Sequence, residues 1–388
     1  MKICFLSSVH AADDKRVFDK EALSLAEAGF DVVHIAAGDG TRMSQNGVET
    51  ITHGATQSKL ARLFKIPWLY CLAARQRADC YHCNEVESWL VGVLLKLTRR
   101  GKRVVFDVHE HFPSRFENAP MPRPLRALAA GAVRLLYRIL TPFTDRLVFA
   151  KRSVAMDFKG SERKQVLVLN YTRTEFLRNR QQSEKTDGGA IRQAPATITA
   201  VHLGLIGRAR GWPQLLDAVS DDRCKDIKLH FIGKFMSPDD DGPEFEARVA
   251  ELELGSRIRF DEWMPFEQAF EELLAADIGL VLFQPGIQNH TLALPHKMFD
   301  YMMAGLPIIA PDFAEEVSAI IRDADCGVLV DVSDPDEVAA ALERLANDAR
   351  ERTRLGQNGQ KAVLDRYNWE AEAEKLIGMY RELAERIS

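Results

Sequence analysis

The sequence predicts an α/β protein built from two doubly wound, Rossmann-like domains facing a central cleft. Three observations carry that expectation. The chain has 388 residues, long for one hydrophobic core and comfortable for two. Apolar runs of strand length alternate with helix-length segments through both halves, which is the pattern of parallel βα units. Between the halves, Arg178 to Thr197 is rich in Arg, Gln, Ser, Gly and Ala, has no apolar period and reads as a linker. Ligands of open α/β sheets sit beyond the carboxyl ends of the strands, so two such domains across a linker would frame one deep cleft.

The first half supplies strands at 2–8, 31–37, 78–83, 103–108, 146–150 and 165–169, with helical stretches such as 15–28 and 86–99 between them. The second half repeats the pattern, with strands near 197–206, 227–233, 257–261, 278–283, 307–310 and 327–330. Segments such as 243–254, 265–275 and 334–349 separate them, and a final helix spans about 369–386. The domains predicted are 1–177, a linker at 178–196, 197–366, and a terminal helical segment at 367–388.

Composition excludes several classes. With 46% apolar and 28% charged residues the chain is not disordered. The apolar run Ile3 to Val9 is too short for a membrane span or signal-peptide core, and charged residues follow at once, so a cytoplasmic location is the expectation. Six cysteines make no disulfide framework. Cys80-x-x-Cys83 is a single pair without a second at zinc-site spacing, and its thiols are read as reduced strand residues. The net charge of −5 hides an asymmetry: residues 1–195 hold 31 Lys+Arg against 20 Asp+Glu, the remainder 20 against 36. A basic half can attract anionic lipid headgroups, nucleic acid or a phosphorylated substrate. No recognisable module interleaves its cations with exposed aromatics, so nucleic acid is not an expected partner.

The most informative stretch is residues 294–313, where a polar loop runs into a short helix, a Gly-Leu-Pro stop and a buried strand. The first N–H groups of such a helix lack internal partners and carry the positive end of its dipole, which suits a phosphate, and Lys297 adds a full charge. One turn on, Asp300 is placed to accept hydrogen bonds from the two hydroxyls of a ribose. This geometry suggests a nucleotide.

The pattern P-x-K-x-F-[DE]-Y-M-x-x-G-x-P from Pro295 onward resembles the donor-nucleotide segment of the GT-B glycosyltransferases, specifically the retaining family four of bacterial polysaccharide synthesis. Three further segments are similar to that family in the same order. They are Val9 to Phe18 with Lys20-Glu21-Ala22 and Leu25-Ala26; Phe106-Asp107-Val108-His109-Glu110; and Leu203-Gly204-x-x-Gly207-Arg208 with Arg210-Gly211. The resemblance implies an acceptor-binding first domain, a nucleotide-sugar-binding second domain, and a last helix that packs back on the first. It also implies that His109 points at the donor sugar with Glu110 beside it, orienting the ring or binding the acceptor. His10 and Asp14, in the loop after the first strand, could bind or deprotonate the acceptor hydroxyl; Asp14 or Asp13 could equally cap the first helix.

On the donor side, Gly207 lets backbone approach an anion, Arg208 would clamp the diphosphate, and Arg210 occupies the usual place of a family lysine on a loop about three residues shorter. Lys234 is a cation at a strand end, and Trp263-Met264 stand where the family holds the base. Leu294, His296, Lys297 and Asp300 complete the set. The family commonly has two glutamates eight positions apart. Here the second is Asp300 and the place of the first is Leu292, so Gln288, Asn289, His290 and Thr291 would supply the sugar contacts. Asp-x-Asp at Asp239 to Asp241 reads as an acidic turn; no metal and no cofactor are expected.

Two basic segments suggest a membrane surface: Lys59 to Tyr70, and a helical pattern from Arg123 to Arg138 with Arg123, Arg126, Arg134 and Arg138 near one face and Leu125, Leu128, Leu136 and Ile139 elsewhere. A core-packing helix with snorkelling arginines is the alternative. The expected protein moves a hexose-type unit from a UDP- or GDP-sugar to a glycan or lipid-linked saccharide, at the inner face of the plasma membrane. The alternatives are a sugar-nucleotide epimerase of the same fold and a noncatalytic nucleotide-sugar-binding subunit.

Overall fold

The computed structural model describes residues 1–54, 64–117, 122–175, 177–178, 197–237 and 241–386. Most of the linker, residues 59–63 of the first basic segment and residues 238–240 of the acidic turn therefore lie outside the described residues. The chain divides into two compact units, Met1–Asn170 together with Trp369–Ser388, and Tyr171–Asn368.

In the first unit the strands are β1 (Lys2–Ala11), β2 (Asp31–Gly38), β3 (Arg42–Gln45), β4 (Val48–Gly54), β5 (Cys80–Cys83), β6 (Arg103–Val108), β7 (Arg146–Phe149) and β8 (Gln165–Leu167). They form one sheet in the order β3-β4-β2-β1-β5-β6-β7-β8. All pairings are parallel except β3 with β4. That hairpin is absent from the sequence expectation. Its turn is Asn46-Gly47, both at positive φ (48° and 81°), the conformation that matches the right-handed twist of two strands joined by two residues.

The strand order reverses between β1 and β5, and this switch point is where crossovers leave on both faces and open a crevice at the carboxyl ends. β1 also runs further than expected. Its pairing with β2 breaks between Leu6 and Ala11, so Ser7 to His10 form a bulged continuation of the strand and not a loop.

The second unit has β9 (Ile198–Ile206), β10 (Ile227–Phe235), β11 (Ile258–Asp261), β12 (Ile278–Leu280), β13 (Ile308–Pro311) and β14 (Gly327–Val330), all parallel. The order is β11-β10-β9-β12-β13-β14, the doubly wound arrangement of dinucleotide-binding sheets, with its switch point between β9 and β12. Strands buried on both faces explain the near-continuous apolar runs Ile278 to Phe283 and Leu306 to Ala310.

The last helix, Trp369–Glu385, is part of the first unit's core. Trp369, Leu376, Tyr380 and Leu383 pack with Ile3, Phe5, Val105 and Val148. Its polar anchors are equally specific: Trp369 Nε1 donates to Ser24 Oγ at 2.9 Å, and Glu372 accepts from the Leu169 N–H at 2.9 Å. Cys80 and Cys83 are buried and unbridged in β5, as are Cys4, Cys224 and Cys326 elsewhere, whereas Cys71 is exposed on a helix.

Candidate functional site

In the first unit a charged cluster occupies the carboxyl end of the sheet around its switch point. Asp107 and His109, two apart on β6 and just beyond, project to the same side. Nε2 of His109 lies 2.5 Å from Asp107 Oδ2. Asp107 is fully buried and is clamped by Arg16, whose Nε and Nη2 each donate at 3.2 Å. Arg16 Nη2 also pairs with Glu21 at 2.8 Å, and Nη1 donates to the Val168 carbonyl at 3.0 Å.

The electrostatics follow from this packing. Burial alone would raise Asp107, but Arg16 and His109 outweigh it and hold the carboxyl well below its usual range. Glu21 is pushed well above the usual range, first by burial, which outweighs the charge of Arg16, and further by the neighbouring Asp107. His82, buried beside both, is lowered by burial and stays neutral; its Nδ1 is 2.7 Å from the Tyr380 hydroxyl of the last helix.

His10 sits between two carboxylates, with Nδ1 at 2.8 Å from Asp14 and Nε2 at 3.6 Å from Glu85. Burial works against its charge, but the Asp14 hydrogen bond and the charges of Glu85, Asp14 and Asp107 outweigh that and raise its pKa. Its ring meets that of His109 edge-on at 5.0 Å. Asp14 does two things at once. Oδ2 holds His10, while Oδ1 accepts the N–H groups of Arg16 and Val17 at 2.9 Å each, capping a first helix that starts as one π-helical turn, Val17–Ala22.

Glu85 ties β1 to β5: it accepts from Ser7 Oγ at 2.5 Å and from the N–H groups of Ser8 and Val9 at 3.0 and 3.3 Å, and it caps the helix Val86–Thr98. Glu110 is partly buried at the end of this edge. Glu21, Asp107 and His109 present atoms close enough to share a cation, but the Arg16 guanidinium already supplies positive charge to both acids.

In the second unit the corresponding edge is lined with glycine. Gly204 and Gly233 are register partners on β9 and β10 with φ of +102° and +155°, and a Cβ on Gly233 would stand 1.9 Å from the Gly204 carbonyl oxygen. Gly207 precedes a tight turn, Arg208–Arg210, and Gly211, at a φ of 84°, opens the helix Trp212–Ser220.

Next to this edge the helix His296–Met303 begins after Pro295 with no side-chain cap. Lys297, in its first turn, brings Nζ to 3.3 Å from His202 Nε2. Burial, helped by the charge of Arg210, lowers Lys297 to about 7. Burial and the nearby charges of Lys297 and Arg210 lower His202; burial and Arg210 lower His290. Arg210, Lys297, His202 and His290 thus lie within electrostatic reach of one another, and an anion placed there would favour the charged forms that burial disfavours.

His290, Asn289 and Thr291 lie on one short helical turn, Gln288–Thr291. His290 Nδ1 donates to the Gln284 carbonyl at 2.7 Å, and Asn289 Oδ1 is buried with no hydrogen-bond partner among the described residues. Leu292, in the place of the family's first glutamate, is buried, as is Leu294; His296 is partly buried. Asp300 is buried and accepts from Thr172 Oγ1 at 3.2 Å.

Arg208 is turned outward: it is exposed, pairs with Glu244 through Nε at 2.8 Å and Nη2 at 2.5 Å, and covers Trp212. Lys234 and exposed Trp263 form a cation–π pair at 5.8 Å, with Met264 partly buried beside them. Of the acidic turn, Asp241 is buried and accepts from the N–H groups of Arg208 and Ser237, a structural role. Sequence reasoning assigned no site role to Arg16, Glu21, His82, Glu85, His202 or Tyr380, although Arg16 and Glu21 fall in a segment that resembles the family and Asp107 in another.

Two Rossmann-like units, each with its polar and charged groups gathered at the carboxyl ends of its strands, are the build of a GT-B glycosyltransferase. The family described as Glycosyltransferase Family 4 matches residues 16–165, and Glycosyl transferases group 1 matches residues 191–362. Together with the fold, these matches make the chain a member of the GT-B glycosyltransferases, of family-four type.

Among its relatives, the MMP alpha-(1->4)-mannosyltransferase of Mycolicibacterium hassiacum is 26% identical over 201 residues, 52% of this chain and 46% of that one. The lipopolysaccharide core biosynthesis glycosyltransferase LpsD of Rhizobium meliloti is 28% identical over 192 residues, 48% and 51% of the two chains. The matched region thus spans about half the length of these relatives. Two solved structures are alike over nearly the whole chain. They are sucrose-phosphate synthase from Thermosynechococcus elongatus (TM-score 0.76, 19% identity, all of both chains) and Anabaena HepE in complex with UDP and glucose (TM-score 0.72, 15% identity, 98% and 99%).

Proposed function

We propose that the protein transfers a hexose-type sugar from a UDP- or GDP-sugar to a hydroxyl of a glycan or lipid-linked saccharide in cell-surface polysaccharide synthesis, with retention of configuration and without a metal or cofactor. One observation carries the reading: the glycine-lined edge of the second unit gathers Arg210, Lys297, His202 and His290 beside an uncapped helix start. Such an edge favours a diphosphate, and it favours most a diphosphate gaining charge as it leaves the sugar. The relatives and structural neighbours support donor and acceptor classes of this kind; the lipopolysaccharide enzyme supports a cell-surface product, and HepE with UDP a uridine donor.

In the reaction the bond from the anomeric carbon to the diphosphate oxygen breaks, a bond from that carbon to the acceptor oxygen forms, and the acceptor proton passes to the departing phosphate or to water. Asp300 would hold the ribose, Asn289, His290 and Thr291 the donor sugar, and Trp263 with Met264 the base. In the first unit His109, with Asp107 behind it, would face the reacting sugar, and His10, Asp14 and Glu110 the acceptor. The working location is the cytoplasmic face of the plasma membrane, as a peripheral protein.

The noncatalytic alternative draws on one observation, the buried Leu292 where the family carries an acid. Thermal stabilisation by UDP, GDP and their sugar conjugates, repeated on Lys297→Met and Asp300→Ala, tests the site. A few kcal/mol of stabilisation by one nucleotide class, lost in both variants, supports it. No response from a folded protein sinks it. Binding without any transfer to saccharide acceptors would favour the noncatalytic subunit, and conversion of the donor without acceptor the epimerase.

A further inference from the structure

The helix Arg123–Leu140 is apolar on two sides. Its inner side, Ala130, Val133, Tyr137 and Leu140, is buried. Its outer side exposes Leu125, Leu128, Leu135 and Ile139 by 51%, 70%, 57% and 50%, at spacings that place them along one stripe. The sequence pattern had put Leu136 there; Leu136 is half-buried, and Leu135 takes its place.

Charge distinguishes this stripe from an ordinary protein contact. The helix carries Arg123, Arg126, Arg134 and Arg138 and no acidic residue. The helix Ile66–Arg75 likewise has no acid and exposes Trp68, and Val86–Thr98 exposes Leu97. All three helices pack their inner sides on one core cluster, so their outer sides belong to one layer of the first unit. Asp157 stands 4.0 Å from Arg134 Nε, but the helix itself carries no acid, so a second copy docked on this face would set arginines against arginines. A surface of anionic headgroups over hydrocarbon meets both features at once.

We propose that this helical face docks the protein on an anionic phospholipid surface, with Leu125, Leu128, Leu135 and Ile139 entering the headgroup–acyl boundary and the arginines binding lipid phosphates. The inference rests on the peripheral location proposed above and gives it a face and a lipid chemistry; the sugar-transfer reading stands or falls without it. Topology gives it a use. The helix leads from the carboxyl edge of β6 to the amino end of β7, where Asp145 accepts the Val104 N–H, so Leu125 and Leu128 lie toward the edge that carries His109. Docking by this face would bring that edge close to a lipid-borne acceptor.

Flotation of the full chain with phosphatidylcholine vesicles, with and without phosphatidylglycerol, tests the proposal. Binding should require phosphatidylglycerol, weaken with salt, and fall at least about tenfold in Leu128→Glu/Leu135→Glu and in Arg134→Gln/Arg138→Gln, since one basic residue near such a surface is worth about fivefold. Circular dichroism and nucleotide-induced stabilisation on the same samples keep folding and the second unit's site apart from docking. Absence of binding to either vesicle, equal binding to both, or retained binding by folded variants would overturn it. So would a dimer of the native chain that Leu128→Glu/Leu135→Glu dissolves, which would assign the face to a second copy.

Discussion

His109 Nε2 and Asp107 Oδ2 stand 2.5 Å apart, and Arg16 grips the same carboxylate from the other side with two N–H donors. The clamp fixes the plane of Asp107 and through it the orientation of the imidazole, so Nε2 carries the proton toward Asp107. Asp107→Asn should keep the shape but lose that orientation. By analogy with carboxylates that orient ring nitrogens elsewhere, turnover should fall about 10- to 100-fold. The change in kcat should exceed that in KM. Arg16→Met leaves the buried Asp107 carboxylate without its counter-charge and should destabilise the first unit by roughly 3–5 kcal/mol, read by urea unfolding.

His10 gives a pH signature. Its folded pKa is raised above 6.5, chiefly because Asp14 and Glu85 outweigh burial. A raised histidine contributes stability that is fully present below the unfolded pKa and disappears as pH climbs through the folded value. The stability gap between the native chain and His10→Gln should therefore be widest near pH 6 and close at higher pH. A gap that grew with pH would contradict the assignment.

Lys297 works in the opposite sense. Folding lowers its pKa from 10.5 to about 7, first by burial and then by the charge of Arg210. The unfolded chain holds that proton more tightly, so the charge costs stability in full below about 7, and the cost fades as pH nears 10.5. Lys297→Met should stabilise the ligand-free protein at pH 7 by on the order of 1–3 kcal/mol, allowing for its partial exposure, while abolishing stabilisation by nucleotide. In the native protein, affinity for a nucleoside diphosphate should decline as pH rises through 7, with proton uptake on binding measurable by calorimetry in buffers of different ionisation heat.

Tyr380 links the last helix to the charged edge through His82. Tyr380→Phe keeps the ring and removes the hydroxyl, leaving His82 Nδ1 buried without its partner at 2.7 Å. A loss of about 1–3 kcal/mol is expected. Trp369→Ala, which also removes the bond to Ser24, should cost roughly 3–5 kcal/mol. If either variant unfolds at the native denaturant midpoint, the helix is not an anchor of the first unit.

Strands buried on both faces announce themselves by composition, so the parallel core of both units was legible in runs such as Val104 to Val108 and Ile278 to Phe283. The uncapped start of the 296–303 helix and Lys297 were legible too, because Pro295, Gly305 and Pro307 mark its limits. The hairpin at Arg42 to Gly54 escaped although Asn46-Gly47 is a strong turn signal, since β3 is wholly exposed and shows no alternation. The Arg16, Glu21, Asp107 and His82 cluster escaped for a different reason. Its members come from separate strands and helices, and a charge that is exposed in most helices is here buried by partners distant in the chain. The turning of Arg208 toward Glu244 is likewise a contact between distant segments that no local pattern encodes.

The chain leaves the first unit at Asn170 and rejoins it at Trp369, and Thr172 and Asn368, at the two ends of the intervening stretch, form a bridge side by side. The second unit is thus a single insertion with adjoining ends, and on the ribosome it can complete itself as one uninterrupted piece. The first unit cannot. Ile3, Phe5 and Val105 wait for Trp369, Leu376 and Tyr380, so the earliest-made part of the protein is the last to be sealed. Chaperone demand during synthesis should accordingly fall on the amino-terminal half, and a nonsense codon a few residues before Trp369 would release a finished second unit attached to an open, aggregation-prone sheet.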